Sequence, residues 1–365
     1  AWYGAPIRLL NSGVDSNQTY NPYDYDNEID NYQQTHYQLH ITNKAIKKLK
    51  LNTSFHYTRG AGYFEQYVGT EHNSVMYNGD YAWGKNLLSY YNLNDVIISG
   101  DTISQTNLIR RRWLDNHFYG LVFSADYTAN KFNLILGGGA NQYLGGHFGE
   151  VIWGSNLSNG SSISDRYYFS DSQKEDFNIF SKATFDIHNK LSGYLDLQGR
   201  FVRYQTEGLT SRRVPIDVDA KYNFFNPKAG LVYSLRDESN LYISYARANK
   251  EANRNDFENG VSSPEKLDDF EMGWRYINDQ FRIISNLYYM NYTNQLVLTG
   301  AIDDVGAPIR ATSGKSYRLG IEIDAEFSIN KKIKDSNLPD NTRIGAIVRG
   351  KQVIIPGGNF IFEKL

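Results

Sequence analysis

The chain has 365 residues, with 38 Lys+Arg against 40 Asp+Glu, 7 His, no cysteine, and 29 Tyr, 19 Phe and 5 Trp. A net charge near −2 removes nucleic acid as a partner, and the absence of cysteine removes a disulfide framework, a Cys-ligated metal and a thiol nucleophile. No run approaches the ~20 apolar residues of a transmembrane helix, whereas barrel strands of about 10 residues leave no mark on a hydropathy plot.

The aromatic excess suits an interface between oily and wet phases, or a sandwich with Tyr on its strands. The start, Ala1-Trp2-Tyr3-Gly4, lacks a basic n-region and an apolar h-region, so an exported reading predicts a leader upstream.

From the N-terminus onward, a period of two recurs, and this is the mark of β-strands with one apolar and one polar face. Tyr37, Leu39 and Ile41 alternate with Gln38, His40 and Thr42, then Leu49 to Tyr57 with Lys50 to Thr58. Tyr119, Leu121, Phe123 and Tyr127 oppose Gly120, Ser124 and Asp126. Ala183, Phe185 and Ile187 follow, then Leu191, Leu195, Leu197 and Phe201. Later come Ala229, Leu231, Tyr233 and Leu235, then Leu241, Ile243 and Tyr245, then Phe270, Met272, Trp274 and Tyr276, and Phe281, Ile283, Leu287 and Tyr289. The clearest segment is Arg318–Ile329, where Leu319, Ile321, Ile323, Ala325, Phe327 and Ile329 oppose Glu322, Asp324 and Glu326. Three carboxylates on one face exclude a dry environment there. The apolar face meets either a second sheet or lipid. The count is about eleven strands, with a twelfth near the C-terminus.

Connections alternate short and long. Short turns are read at Asn43–Lys47, Thr128–Asn130, His188–Lys190, Arg236–Asn240 and Asn278–Gln280, and long ones at Arg59–Asn116, Leu144–Glu175, Thr206–Asn223, Ala248–Glu265 and Asn291–Gly314. An up-and-down outer-membrane barrel alternates in this way, and a Greek-key sandwich has no reason to. The expected fold is therefore all-β: an antiparallel up-and-down transmembrane β-barrel.

Several blocks resemble TonB-dependent outer-membrane receptors. Asn240–Phe257 reads NLYISYARANKEANRNDF, Asn226–Tyr233 resembles the strand before it, and Pro264–Gly273 resembles the next segment. Tyr57–Tyr67 and Arg110–Asn116 are similar to Bacteroidetes-type members. The resemblance covers roughly Trp2 to Asn330. It departs from the family in the absence of a plug domain and TonB box ahead of the barrel, in strand number (about half of the 22 expected), and in an ending, Phe360–Leu365, without a terminal aromatic residue. The expectation is a partial barrel over 1–330 and an atypical or truncated segment over 331–365. The resemblance implies energised import of a scarce nutrient (a ferric siderophore first, cobalamin or another nutrient otherwise). Its implied partners are outer-membrane lipid, the small-molecule ligand and the inner-membrane TonB complex, reached through the plug. It implies no enzyme activity, no cofactor and no protein-held metal. A passive porin and a surface glycan-binding β-protein are the alternatives.

Candidate ligand-binding residues come from the predicted loops. Arg110 and Arg112, beside Trp113, suit anionic oxygens, although neighbours on a strand face opposite sides and solvated ion pairs are the plain alternative. Arg59 and Tyr63 sit where the second strand leaves the membrane, as mouth lining or aromatic girdle. Tyr81 and Trp83, with Tyr77, Tyr90 and Tyr91, either stack on a planar ligand or pack a long loop on itself. Trp153, read in a loop after Gly145-Gly146-His147, has the same two readings. His36 and His40 share a strand face but stand too far apart to chelate one metal. Gly137-Gly138-Gly139 lies inside a strand pattern, with no helix after it to make a nucleotide loop.

Overall fold

The computed structural model describes residues 25–69, 88–158, 163–302, 308–328, 343–349 and 355–356. The alternating segments form strands β1 (Asp30–Asn43), β2 (Leu49–Val68), β5 (Leu108–Ala129), β6 (Phe132–Gly154), β7 (Arg166–His188), β8 (Leu191–Leu209), β9 (Pro215–Arg236), β10 (Ser239–Lys250), β11 (Glu265–Ile277), β12 (Phe281–Thr293), β15 (Lys315–Ser328) and β16 (Arg343–Arg349). They pair in that order, each antiparallel to the next, and with β17 (Ile355–Pro356) on β15 they make one 13-stranded sheet. Two small hairpins stand outside it: β3 (Val96–Ile98) with β4 (Asp101–Ile103), and β13 (Leu296–Ile302) with β14 (Pro308–Thr312). Strictly sequential pairing is the up-and-down topology that the turn pattern predicts.

Register keeps each side chain's parity from strand to strand. Phe123 lies opposite Thr53 and Gly138, and Leu287 opposite Met272 and Ile321. One face therefore collects Tyr37, Phe55, Ile179, Ile243, Met272 and Ile321, all exposed, with Tyr37 at 60 % and Ile243 at 58 %. Rows of exposed aliphatics on every strand are costly in water and are what lipid contact requires. Aromatic rings border the belt. Tyr245, Phe270, Tyr289 and Tyr317 pass contacts across four strands at 4.9, 6.5 and 6.0 Å, and Phe177 stacks on Phe201 at 6.0 Å. The opposite, inner face carries His36, Ser54, Asn178, Arg200, Asn286 and Glu322. Two small buried apolar clusters are found among the described residues, one around Leu88, Leu108, Val151 and Tyr167 and one of Val202, Tyr222 and Phe224. Within the belt, stability rests on paired backbone ladders rather than on a central core.

The strands outrun the predicted ones. β5, β6, β7 and β9 have 22, 23, 23 and 22 residues, roughly twice the ~10 that cross a bilayer. Much of the expected long loops Leu144–Glu175 and Thr206–Asn223 is thus strand, and the β8–β9 connection is only residues 210–214. Beyond the belt the outward face turns polar and apolar side chains such as Val202, Ile216, Tyr222 and Phe224 turn inward, while the hydrogen-bonded ladder continues. Trp153 and Gly145-Gly146 lie within β6, not in a loop. Tyr77, Tyr81 and Trp83 lie outside the described residues.

Candidate ligand site at the barrel mouth

Strand alternation divides the arginine triplet. Arg110 and Arg112 face inward on β5, and Arg111 faces outward, where its Nε donates to Glu65 Oε2 at 2.8 Å. Arg110 is 4 % exposed and donates to Gln66 Oε1 at 3.2 and 2.7 Å and to the Tyr91 hydroxyl at 3.5 Å. Burial pushes the Tyr91 phenol up to about 12, against the pull of Arg110. Arg112 lies over the Phe64 ring at 5.4 Å. Opposite it on β6 is Gly149, paired with Tyr168. A Cβ on Gly149 would run into the rings of Tyr167 and Tyr168. Burial raises the Tyr168 phenol, and Arg112 works against that rise.

The third inward arginine comes from the β10–β11 connection. There Asn253 caps the short helix α1 (Arg254–Glu258) through a reciprocal box with Asp256. Arg254 reaches from α1 to β7 and β8, donating to Ser172, Thr206 and Ser170 at 2.8, 3.2 and 2.9 Å, and to Glu258 at 2.7 Å. Burial, and then the Arg254 charge, hold the nearby His147 down at about 4, so the imidazole is neutral at physiological pH. Just before α1, buried Glu251 accepts from Arg200 at 2.8 and 2.8 Å and from Lys174 at 2.6 Å. Burial opposes its ionisation, but these cations outweigh that and hold its carboxyl at about 2. On the far side, Asp256, 2 % exposed, takes a two-pronged pair from Arg310 of β14 at 3.0 and 2.7 Å. The α1 segment therefore ties the β7–β8 wall to the β13–β14 hairpin. The feet of that hairpin, Asn294 and Gly314, both have positive φ, at 54° and 73°.

Other sequence candidates lie on the outer rim. Arg59 is 2.6 Å from Asp115 Oδ1, though not in directed hydrogen-bond geometry, and donates to the carbonyls of Gly60 and Asn116. Tyr63 packs against Trp113 at 4.5 Å, with Arg111 above its ring at 4.2 Å. Trp113 donates to Glu150 at 2.8 Å and stacks on Phe148 at 5.8 Å. Trp153 pairs with Ile109 and is 45 % exposed. A hollow of about 820 Å³ at this rim is lined by Asp115, Asp171, Glu207, Asp217 and Asp219 with Arg166, which is unfavourable for an anion. Tyr90 and Tyr91 do pack on each other and on Tyr167 at 5.1, 6.4 and 5.0 Å, and Arg213 clamps their turn by donating to the carbonyls of Ser89 and Tyr90. His36 and His40 contact Thr58 and Ser54 at 3.0 and 2.7 Å.

Of the sequence candidates, Arg110 and Arg112 thus share the inner mouth, while Arg59, Tyr63, Trp113 and Trp153 do not join them. Arg254, His147 and Tyr168 are residues that sequence reasoning missed. Arg254 falls in the quoted ARANKEANRNDF block, but no periodicity marks it.

A lipid-facing belt bordered by aromatics, sequential antiparallel pairing and a polar inner face with a loop folded onto it define an outer-membrane β-barrel. Residues 2–346 match the family described as TonB dependent receptor-like, beta-barrel, and the chain belongs to that family. Its members are transporters of the outer membrane of Gram-negative bacteria, and this chain is located there. No curated protein matches the sequence. Among solved structures, the chain is similar to the ferric citrate transporter FecA (17 % identity, TM-score 0.50, 81 % of this chain and 39 % of that one). It is also similar to the ferric-catecholate import receptor Fiu from E. coli K12 (15 %, 0.51, 96 % and 52 %) and to the copper transporter OprC (12 %, 0.55, 82 % and 44 %). At these identities the likeness is one of fold. The chain spans between two fifths and about half of those proteins.

Proposed function

We propose that this chain forms barrel wall and ligand-binding mouth of an energised importer, and that its cargo is an anionic metal chelate of the ferric siderophore type. The observation that carries the reading is the inward set Arg110, Arg112 and Arg254, set among the phenols of Tyr91 and Tyr168 and the neutral imidazole of His147. Guanidinium forks match carboxylate and catecholate oxygens, and phenols held protonated donate without adding negative charge. The import receptors for ferric citrate and ferric catecholates among the similar structures support the class of cargo. Energy from the TonB complex enters through a plug, as the family pattern implies.

Uptake of radioiron as ferric citrate and as a ferric catecholate, in iron-starved cells with and without the gene, tests the proposal. Gene-dependent uptake of one of the two is expected, abolished when the proton-motive force is collapsed and reduced at least tenfold in Arg112→Ala or Arg254→Ala at normal surface abundance. Uptake that continues without the proton-motive force overturns energised import. Energised uptake of only uncharged solutes overturns the chelate.

A further inference from the structure

Three of the short turns place a cation at one equivalent position. In the β1–β2, β5–β6 and β7–β8 hairpins the residue just before the second strand is a lysine: Lys48, Lys131 and Lys190. Each lends its carbonyl to the neighbouring hairpin. The amides of Thr128, Asp186 and Ser234 donate to Lys48, Lys131 and Lys190 at 2.9, 3.0 and 2.8 Å. The three therefore form a row along one rim. Successive members are two strands apart, about 10 Å at the usual strand spacing. In the fourth hairpin, β9–β10, the equivalent residue is Glu238, whose carbonyl accepts from Ile277 at 2.8 Å. The row of cations ends there.

The first turn adds Lys44 and Lys47. It is a fixed turn: the Ala45 amide donates to Asn43 Oδ1 at 2.7 Å, and the Leu49 amide to the Ile46 carbonyl at 3.1 Å. Lys48 has φ of 68°, a left-handed conformation that glycine or asparagine adopts with less strain. All five lysines are exposed. Among the described residues none of them pairs with a carboxylate, and the lysine ion pairs there are those of Lys174 and Lys266. Like charges set this closely repel one another unless a counter-charge faces them.

The height of the row says what supplies that counter-charge. Leu49, Phe132 and Leu191 follow the three lysines directly and lie on the lipid-facing side, opposite Tyr127, Phe185 and Tyr233. The ammonium groups thus stand where the apolar belt ends, on stems long enough to reach along it. That is headgroup level, where phosphate oxygens accept from a lysine as from a point charge. Short turns mark the periplasmic rim of such a barrel, so the leaflet is the periplasmic one. Ile46 sits between Lys44 and Lys47 and is 59 % exposed. A soluble polyanion would leave that side chain in water, and a lipid layer covers it.

We propose that Lys48, Lys131 and Lys190, with Lys44 and Lys47, form a docking arc for anionic phospholipid of the periplasmic leaflet, the lysines on headgroup phosphates and Ile46 among the acyl chains. The turns of the next two hairpins carry Asp237, Glu238 and Asp279 and do not select such lipid. The arc needs no cargo and no gradient, so it stands or falls separately from energised import and from the chelate.

The test is native mass spectrometry of the receptor as its natural gene expresses it, released from nonionic detergent micelles that hold equimolar phosphatidylglycerol and phosphatidylethanolamine. Attraction to an anionic lipid surface is about fivefold for each nearby lysine. We expect phosphatidylglycerol to be bound at least fivefold in preference. That preference should fall at least threefold in the combined Lys48→Gln, Lys131→Gln and Lys190→Gln variant and stay unchanged in Lys221→Gln, near the other rim. Should the triple variant lose heat-modifiable migration, Lys44→Gln with Lys47→Gln decides by a fall of at least twofold. Absence of a preference overturns the proposal, as does a preference that survives these substitutions, which is also the result if another segment of the receptor covers the turns. Displacement of the lipid by glycerol phosphate at equal concentration makes this a site for free phosphate and overturns it. Lysine-dependent capture on purified peptidoglycan, without a lipid preference, assigns the row to the wall polymer and overturns it too.

Discussion

On β1 to β6, the inner side chains at mid-height are Gln34, His36, Gln38, Ser54, His56, Asn116 and Asn141, without a formal charge. On β7 to β15, at comparable height and facing the same lumen, stand Lys174, Asp176, Arg200, Glu271, Arg275, Glu322 and Asp324. The two walls share backbone geometry and differ in what they must satisfy. An amide or hydroxyl that loses its partner finds water in a wet lumen at little cost. A partly buried ion that loses its partner does not. The charged wall is therefore the one that can hold a loop in place, and it does so at Glu251, fixed by Arg200 and Lys174. Among the described residues, the mid-height side chains of the neutral wall bond to one another.

The sharpest way to break this contrast is Arg200→Met. It strands Asp176, which Arg200 contacts at 2.6 Å, and leaves Glu251 with Lys174 alone. Removing one partner of a buried pair costs about 3–5 kcal/mol, read as a lower urea midpoint for the receptor refolded in detergent. Adding Glu251→Leu should restore part of the loss. A single-variant cost below about 1 kcal/mol would show that the pairs are solvated and the walls equivalent. Next in size is Arg310→Ala, which unpins the β13–β14 hairpin from Asp256. We expect about 1–3 kcal/mol of local stability to go, with faster protease cleavage near Gly300 and an unchanged global midpoint. Cleavage at the wild-type rate would mean that the pin does not hold the hairpin.

The belt was legible in the sequence for the reason that makes it a belt. Lipid demands an apolar residue at every second position, so Leu319, Ile321 and Ile323 announce their face without help from the rest of the chain. The upper strands were less legible. Pro215–Asn223 alternates Ile216, Val218, Ala220 and Tyr222 with Asp217, Asp219, Lys221 and Asn223, so a period of two is present, but its apolar parity points inward, opposite to that of the belt. The site was half legible. The Arg110–Arg112 parity followed from strand geometry alone. Arg254 meets Ser172 and Ser170 across separations of 82 and 84 residues, and no local pattern encodes such contacts.

Acid should separate the walls further. The folded-state pKa of His147 is depressed to about 4 from 6.5. Between those values the unfolded chain binds the proton and the folded one does not, so the stabilisation is complete above pH 6.5 and is lost as pH falls toward 4. Glu251 acts lower: its contribution is present above about 4.5 and fades toward 2. His147→Gln should flatten the urea midpoint between pH 6.5 and 4, by on the order of 1–2 kcal/mol after allowance for partial exposure, and leave the steeper loss below pH 4 intact. An unchanged slope in the upper window would mean that His147 titrates normally.

The smallest effect is expected on the neutral wall, and its smallness is the point. Gln38→Ala removes one exposed contact to His40, at 3.2 Å. His40 keeps its 2.7 Å partner Ser54, and the freed ring nitrogen meets water. The cost should be within about 0.5 kcal/mol, close to the resolution of a denaturation curve. If it is larger than 1 kcal/mol, the neutral wall is part of the scaffold and the contrast between the walls fails. If stability is unmoved, the neutral wall is a solvated surface whose groups exchange protein partners for water, as the contrast requires.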